Sequence, residues 1–124
     1  MKNTILKTPD NNSDYVQEVY DVVGRIPKGK VAIYAQVAAA VTEELKRKKI
    51  RKRVSPRQVG SFLHKNPDPN NIPCHRVVDR RGKVAENYAF GGGRIQKRKL
   101  QEEGVRFKSK NCVDLTKHIW QPKS

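Results

Sequence analysis

The feature that most restricts the fold is a series of short apolar stripes at helical spacing. The spacing of Val37, Val41 and Leu45 predicts a helix from about Ala35. An earlier stripe predicts a first helix over residues 14–24, with Ser13 as N-cap and Gly24 at its end. The apolar and aromatic residues of this stripe are Tyr15, Val16, Val19, Tyr20, Val22 and Val23. The chain is therefore predicted to be mostly helical.

The third predicted helix has the clearest start signal. Ser55 is placed to cap it, and Pro56 suits its first position because the missing N–H has no helical partner there. One face carries Val59, Phe62 and Leu63, and the opposite face carries Arg57, Gly60, Ser61 and His64. A long cation beside two very small residues favours close approach of this helix to another surface. The second and third helices with their connection resemble a helix-turn-helix.

The remaining segments predict a small β element and a docked tail. Turn formers fill residues 66–71 and 79–82, and between them Val77 and Val78 are predicted to be extended. A glycine-rich loop at 90–93 is followed by a predicted last helix over residues 94–103, which ends before Gly104. In the tail, residues 113–120, the side chains predicted to pack back on the core are Leu115, Ile119 and Trp120.

Length and charge indicate one basic domain. The 124 residues suit a single domain at 14–124 preceded by a flexible arm at 1–13, and a 35% apolar content implies a modest core. The formal charge of +15 favours a polyanionic partner such as nucleic acid. No stretch has the apolar length of a signal peptide or a membrane span.

A basic insertion, KRKKIRKR at residues 46–53, separates the second and third helices. Such a run is often no more than a solvated face. Because it immediately precedes the helix that carries Arg57, contact with DNA phosphates is the preferred interpretation. The residues expected to make those contacts are Lys48, Lys49, Arg51 and Lys52.

Cys74 and His75 are adjacent in NIPCHRVV, and residue chemistry alone leaves three interpretations of the thiol. It could be a nucleophile, a metal ligand or a small buried side chain. Metal is disfavoured because the two cysteines and three histidines show no ligand spacing, so no metal or other cofactor is expected. A nucleophile would need a base, which His75 could supply, and Glu103 could orient that base. Cys112 is expected to be a partly buried bystander with a free thiol.

Several motifs in order resemble the O6-alkylguanine-DNA alkyltransferases, the methylated-DNA–protein-cysteine methyltransferases. They are IPKGKVAIYAQVA, SPRQVG, NPDPNNIPCHRVV and LQEEG, and the similarity runs from about Tyr15 to Gly104. The resemblance implies a mostly helical, winged helix-turn-helix-like alkyltransferase C-terminal domain. It also implies a duplex DNA partner that contains O6-alkylguanine, a monomer, and a location in the cytoplasm near the nucleoid or in a nucleus.

Site roles carry over by position. Cys74 would accept the alkyl group, His75 would deprotonate it through a water, Glu103 would hold His75, and Asn66 would stabilise the loop. On the DNA side, Arg57 would fill the gap left by a flipped guanine, and Tyr34 would contact a phosphate and the extruded base. The other implied DNA contacts are Gly60, Ser61, Arg76 and Tyr88.

Three departures from the family pattern keep other functions open. The protein is expected to lack the larger N-terminal domain of many family members, the usual GYxGG loop reads NYAFGGG, and Tyr34 and Arg57 are further apart than usual. Short alkyltransferase-like proteins also lack that domain, but typically carry Trp at the position of Cys74. They bind the lesion without removing it and signal to excision repair proteins, which are the further expected partners. A winged-helix regulator with an incidental Cys is the third interpretation.

Overall fold

The computed structural model describes residues 12–122, and the side chains of residues 12–14 are not considered. The helices are α1 (Asn12–Gly24), α2 (Tyr34–Arg47), α3 (Pro56–His64), α4 (Gly92–Glu102) and α5 (Leu115–His118). The strands are β1 (Ala32–Ile33), β2 (Val77–Val78), β3 (Phe107–Ser109) and β4 (Cys112–Val113), and Cys74–Arg76 form a 3-10 turn. The mostly helical prediction with a small β element is confirmed.

Two apolar clusters hold the elements together. The first joins α1, α2 and α3 through fully buried residues such as Val19, Val41 and Val59, and Cys74 belongs to it. The second lies under α4 and the β3–β4 hairpin and includes Val78, Leu100 and Val113. Each fully buried Val or Leu contributes roughly 1.5–3 kcal/mol relative to exposure, so both clusters stabilise the fold.

A short parallel pairing links the two halves of the domain. β1 pairs with β2, with Ala32 opposite Val77. The tail completes this sheet: the Val31 amide donates to the His118 carbonyl at 2.9 Å, and the Trp120 amide donates to the Val31 carbonyl at 2.7 Å. The predicted docking of the tail is confirmed, and Leu115 and Trp120 pack on the second and first clusters respectively.

The start of α3 follows the predicted capping chemistry. Ser55 Oγ accepts from the Gln58 amide at 3.1 Å, and the Gln58 side chain accepts from the Ser55 amide at 2.9 Å. Because both bonds are local in sequence, they fix the helix start without help from distant segments.

Two predicted helix starts, and the prediction of which helix is the last, differ from the structure. α1 begins at Asn12, so Ser13 lies inside the helix, and the arm at residues 1–11 lies outside the described residues. α4 begins at Gly92, two residues early, because the Gly92 amide bonds the Tyr88 carbonyl at 2.8 Å. It is also not the last helix, since α5 follows.

Only Phe90 and Gly91 of the predicted 90–93 loop therefore precede α4. Gly91 has a φ of 124°, and a Cβ there would lie 2.6 Å from Ile95 Cγ1. Glycine is consequently required at the point where this loop becomes a helix.

Within residues 12–122 no helix combines the length and the apolarity needed to cross a membrane.

Candidate active site

Cys74 occupies the start of the 3-10 turn, directly before β2. It is 6% exposed, and its amide donates to the Ile72 carbonyl at 2.7 Å. The thiol lines a pocket of about 360 Å³, a volume typical of small-molecule sites. The pocket lies between the N-terminus of α2, one face of α3 and the loop before α4, and its other lining residues include Tyr34, Gly60, Ser61, Asn87, Tyr88 and Gln96.

Asn66 braces the loop that leads to the thiol. Its side-chain amide donates to the Ile72 carbonyl at 2.7 Å, and its oxygen accepts from the Asp68 amide at 2.9 Å. The Asn66 side chain is buried and therefore needs both partners. The loop is thus held from inside by the Asn66 side chain.

The structure brings His75 and Glu103 together across 28 residues. His75 Nε2 lies 3.0 Å from Glu103 Oε2. The Glu103 carboxylate also receives two bonds from Arg76, at 2.9 and 2.8 Å, so it is held ionised. An ionised carboxylate can only accept, and Nε2 must therefore carry the imidazole proton. This leaves Nδ1 as the free basic nitrogen, which is buried and has no hydrogen-bond partner among the described residues.

Arg76 is not placed for the predicted DNA contact. Its side chain is 12% exposed, and besides Glu103 it donates to the Ile26 carbonyl at 2.7 Å. The five donors of a guanidinium allow one side chain to join α1's end, the 3-10 turn and α4's end. Arg76 consequently supports the His75–Glu103 pair from within the protein.

The surroundings shift the ionisation of each group. Burial raises the pKa of the Cys74 thiol, and nearby Asn66, Tyr88 and Lys99 oppose that shift. Burial lowers the pKa of His75 from 6.5, which keeps the imidazole neutral and available as a base. Burial also raises the pKa of Glu103, but hydrogen bonds from Arg76 and His75 outweigh it, so that pKa is lowered overall.

Two tyrosines line the pocket in neutral form. Burial raises the pKa of Tyr34, and Asp79 and Cys74 add to that shift. Burial also raises the pKa of Tyr88 strongly, with a further contribution from Cys74. Both phenols can therefore donate a hydrogen bond at neutral pH.

The predicted DNA side of α3 is accessible. Arg57, Ser61 and His64 are exposed, and Gly60 is half-buried. A methyl group built at Gly60 would find Tyr34 Cε1 as its nearest neighbour, at 3.9 Å, which is an ordinary contact. Nothing inside the described domain therefore requires glycine at this position.

The basic side chains of the insertion are exposed, and two of them contact α1. Lys48 pairs with Glu18 of α1, and the Lys52 ammonium lies 5.9 Å from the centre of the Tyr15 ring. Ile50 packs on the first apolar cluster. Lys49, Arg51 and Lys52 line an open groove along α2. Of the four predicted phosphate contacts, Lys48 and Lys52 thus have a partner on α1, and Lys52 shares the groove with Lys49 and Arg51.

Two residues near the site were missed by the sequence analysis. Gln96 is 1% exposed and donates to the His75 and Val77 carbonyls at 3.1 and 3.0 Å. It lies four residues before Leu100, so a polar residue on the apolar face of α4 was the available signal. Lys99 lies 3.2 Å from the Tyr88 hydroxyl and had no distinguishing signal among the many lysines.

The fold and the site define a helix-turn-helix domain with a buried thiol and an adjacent histidine behind the second helix of the pair. Residues 14–105 match the family described as 6-O-methylguanine DNA methyltransferase, DNA binding domain. The chain belongs to that family of DNA repair and lesion-recognition proteins.

Relatives of two kinds are similar to the chain. Alkyltransferase-like protein 1 of Schizosaccharomyces pombe is 31% identical over 114 residues, which are 88% of this chain and 96% of that protein. A methylated-DNA–protein-cysteine methyltransferase of Methanothermobacter thermautotrophicus is 40% identical over 93 residues, 75% of this chain and 46% of the relative. The chain thus spans less than half of that methyltransferase.

A solved structure supports the same fold. The S. pombe alkyltransferase-like protein, in complex with damaged DNA containing O6-carboxymethylguanine, superimposes with a TM-score of 0.70 at 29% identity. The match covers 89% of this chain and 97% of that one. The predicted winged helix-turn-helix-like class is confirmed.

Proposed function

We propose that the protein repairs duplex DNA by moving an alkyl group from O6 of guanine to Cys74 Sγ. The observation that carries this proposal is a buried thiol in an open pocket beside a histidine whose Nε2 is held by Glu103 at 3.0 Å. The S–C bond forms as the C–O6 bond breaks. The thiol proton passes through a water to His75 Nδ1 and finally to the guanine, so the products are a Cys thioether and normal guanine.

The pocket explains why the base must leave the helix. The thiol is 6% exposed and lies behind α3, where a stacked guanine cannot reach it. The lesion has to be extruded into the pocket, past the exposed face of α3. Arg57 fills the vacated stack, Gly60 and Ser61 permit close approach to the minor groove, and Tyr34 meets the backbone and the extruded base.

The thioether has no route back, so each molecule reacts once and needs no cofactor. A raised thiol pKa requires a base at neutral pH, and the neutral His75 meets that requirement. Removing the thiol, by Cys74→Ala, abolishes transfer while leaving DNA binding largely intact.

The test is intact mass spectrometry after incubation with an O6-methylguanine duplex. We expect a gain of one CH2 that maps to Cys74, in the parent and in Cys112→Ala, and no gain in Cys74→Ala. Cys112 is the matched control because it is the other free thiol and is half-buried at the start of β4. An unmodified Cys74, in conditions where a family methyltransferase consumes the same duplex, would overturn the proposal.

A second candidate is recognition of O6-alkylguanine without transfer, followed by signalling to excision repair proteins. The specific observation that favours it is the match over 96% of alkyltransferase-like protein 1, against 46% of the methyltransferase. It predicts preferential binding to the lesion duplex over a matched normal duplex, with the alkyl label retained on the DNA.

A further inference from the structure

The Lys99 ammonium is held in an aromatic site beside the pocket. Its Nζ lies 5.7 Å from the centre of the Tyr88 ring and 5.9 Å from that of Phe90. The two rings are 5.6 Å apart in an edge-on arrangement. A cation over two ring faces is favoured electrostatically, and the half-buried Lys99 is therefore fixed in place.

The hydrogen bond between Lys99 and Tyr88 has only one possible direction. An ammonium has three donors and no acceptor, so the Tyr88 oxygen accepts, at 3.2 Å. The Tyr88 hydroxyl hydrogen must then point to another acceptor. Tyr88 and Cys74 line the same pocket, and the thiol is one of the groups that act on the phenol.

Lys99 also supplies positive charge to the thiol. The other polar side chains that act with it on Cys74 are those of Asn66 and Tyr88, while the adjacent His75 is neutral. Arg76 is paired with Glu103 and so has its charge offset. Lys99 remains as the cation that lowers the pKa of the Cys74 thiol.

We propose that Lys99 is a positioning residue for Cys74: it directs the Tyr88 hydroxyl toward the reacting sulfur and stabilises the thiolate. This inference rests on the proposed transfer function for its biological purpose. It also gives a role to the unusual loop NYAFGGG, because Phe90 forms the second wall of the Lys99 site.

The experiment measures the rate of Cys74 carbamidomethylation by iodoacetamide against pH, in a Cys112→Ser background. Lys99→Met keeps the length and the apolar packing of the side chain but removes the charge. We expect the apparent thiol pKa to rise by about half a unit or more, with a rate roughly three-fold lower at any pH below it. Lys99→Arg should restore the parent profile.

The matched control is Lys97→Met on the same helix. Its ammonium lies 5.2 Å from the Phe107 ring on another part of the surface, so the thiol profile should not change. In a Tyr88→Phe background, Lys99→Met should have a smaller effect, because the route through the hydroxyl is already lost.

A folded Lys99→Met variant with the parent thiol pKa would overturn the inference, and so would an equal shift in Lys97→Met. The alkyl-transfer assay is read separately. Absence of transfer by the parent together with a thiol pKa that depends on Lys99 would reject the transferase function and leave the positioning role standing.

Discussion

At the scale of single residues, the decisive feature is which nitrogen of His75 is free. The Arg76–Glu103–His75 chain assigns the proton to Nε2 and leaves Nδ1 as the nitrogen that can accept a proton. Cys74, His75 and Glu103 could be singled out from the sequence, because a nucleophile, its base and an orienting acid are recognisable residue types. Arg76 was placed wrongly, since its partner Ile26 lies 50 residues away and no local pattern indicates that bond.

The buried His75 predicts the acidic limit of alkyl transfer. Its pKa is lowered from 6.5, so the neutral base persists below that pH and is lost only as the pH falls through the lowered value. Single-turnover transfer rates should be measured from about pH 5 to 8. They should therefore hold steady down to pH 6.5 and fall only as the pH drops through the lowered pKa of His75. An inflection at or above 6.5 would show that His75 is not the base, or that it is solvated during the reaction.

At the scale of elements, α3 was predicted well because its determinants are local. Ser55, Pro56 and Gln58 fix its start, and the apolar spacing fixes its buried face. The start of α4 was missed because it depends on a Tyr88 carbonyl and on the conformation of Gly91. The contacts of Lys48 and Lys52 in the basic insertion were missed because their partners, Glu18 and Tyr15, lie on another helix.

Gly60→Ala separates the folding role of α3 from its proposed DNA role. No internal clash opposes the methyl group, whose nearest neighbour would lie at 3.9 Å, so the variant should gain about 1 kcal/mol of stability. If the α3 backbone approaches DNA closely, the same methyl costs about 1–3 kcal/mol of binding, roughly 5- to 150-fold in affinity. Thermal melting and duplex titration measure the two effects. A variant that binds as tightly as the parent would show that DNA does not approach at Gly60.

At the scale of the whole molecule, the +15 charge indicated a polyanionic partner such as nucleic acid from composition alone. Composition alone could not show which cations contact phosphates, because that depends on the partners each side chain finds after folding. In the structure Lys48 and Lys52 have partners on α1, Glu18 and Tyr15. Lys49 and Arg51 line the groove along α2, as Lys52 also does, and have no ion pair or ring contact among the described residues.

Two double variants of equal charge test that division. Lys49→Gln with Arg51→Gln should flatten the slope of log affinity against log salt by roughly 0.9 for each lost phosphate contact. Lys48→Gln with Lys52→Gln should change the slope less, because those side chains are already engaged by Glu18 and Tyr15. Affinity for normal and alkylated duplex should fall equally in the first variant. Identical slopes for the two variants would show that only net charge matters.

The tail that pairs with Val31 also sets the timing of folding. Val31, directly before β1, is paired with Trp120, which lies 89 residues later in the chain (120 minus 31). A ribosome adds about 5–20 residues per second, so Trp120 is synthesised roughly 5–20 s after Val31. Throughout that interval the Val31 amide and carbonyl lack these partners, next to a side chain that is fully buried in the folded domain. Synthesis thus leaves this edge open to pairing with other nascent chains until Trp120 has been added.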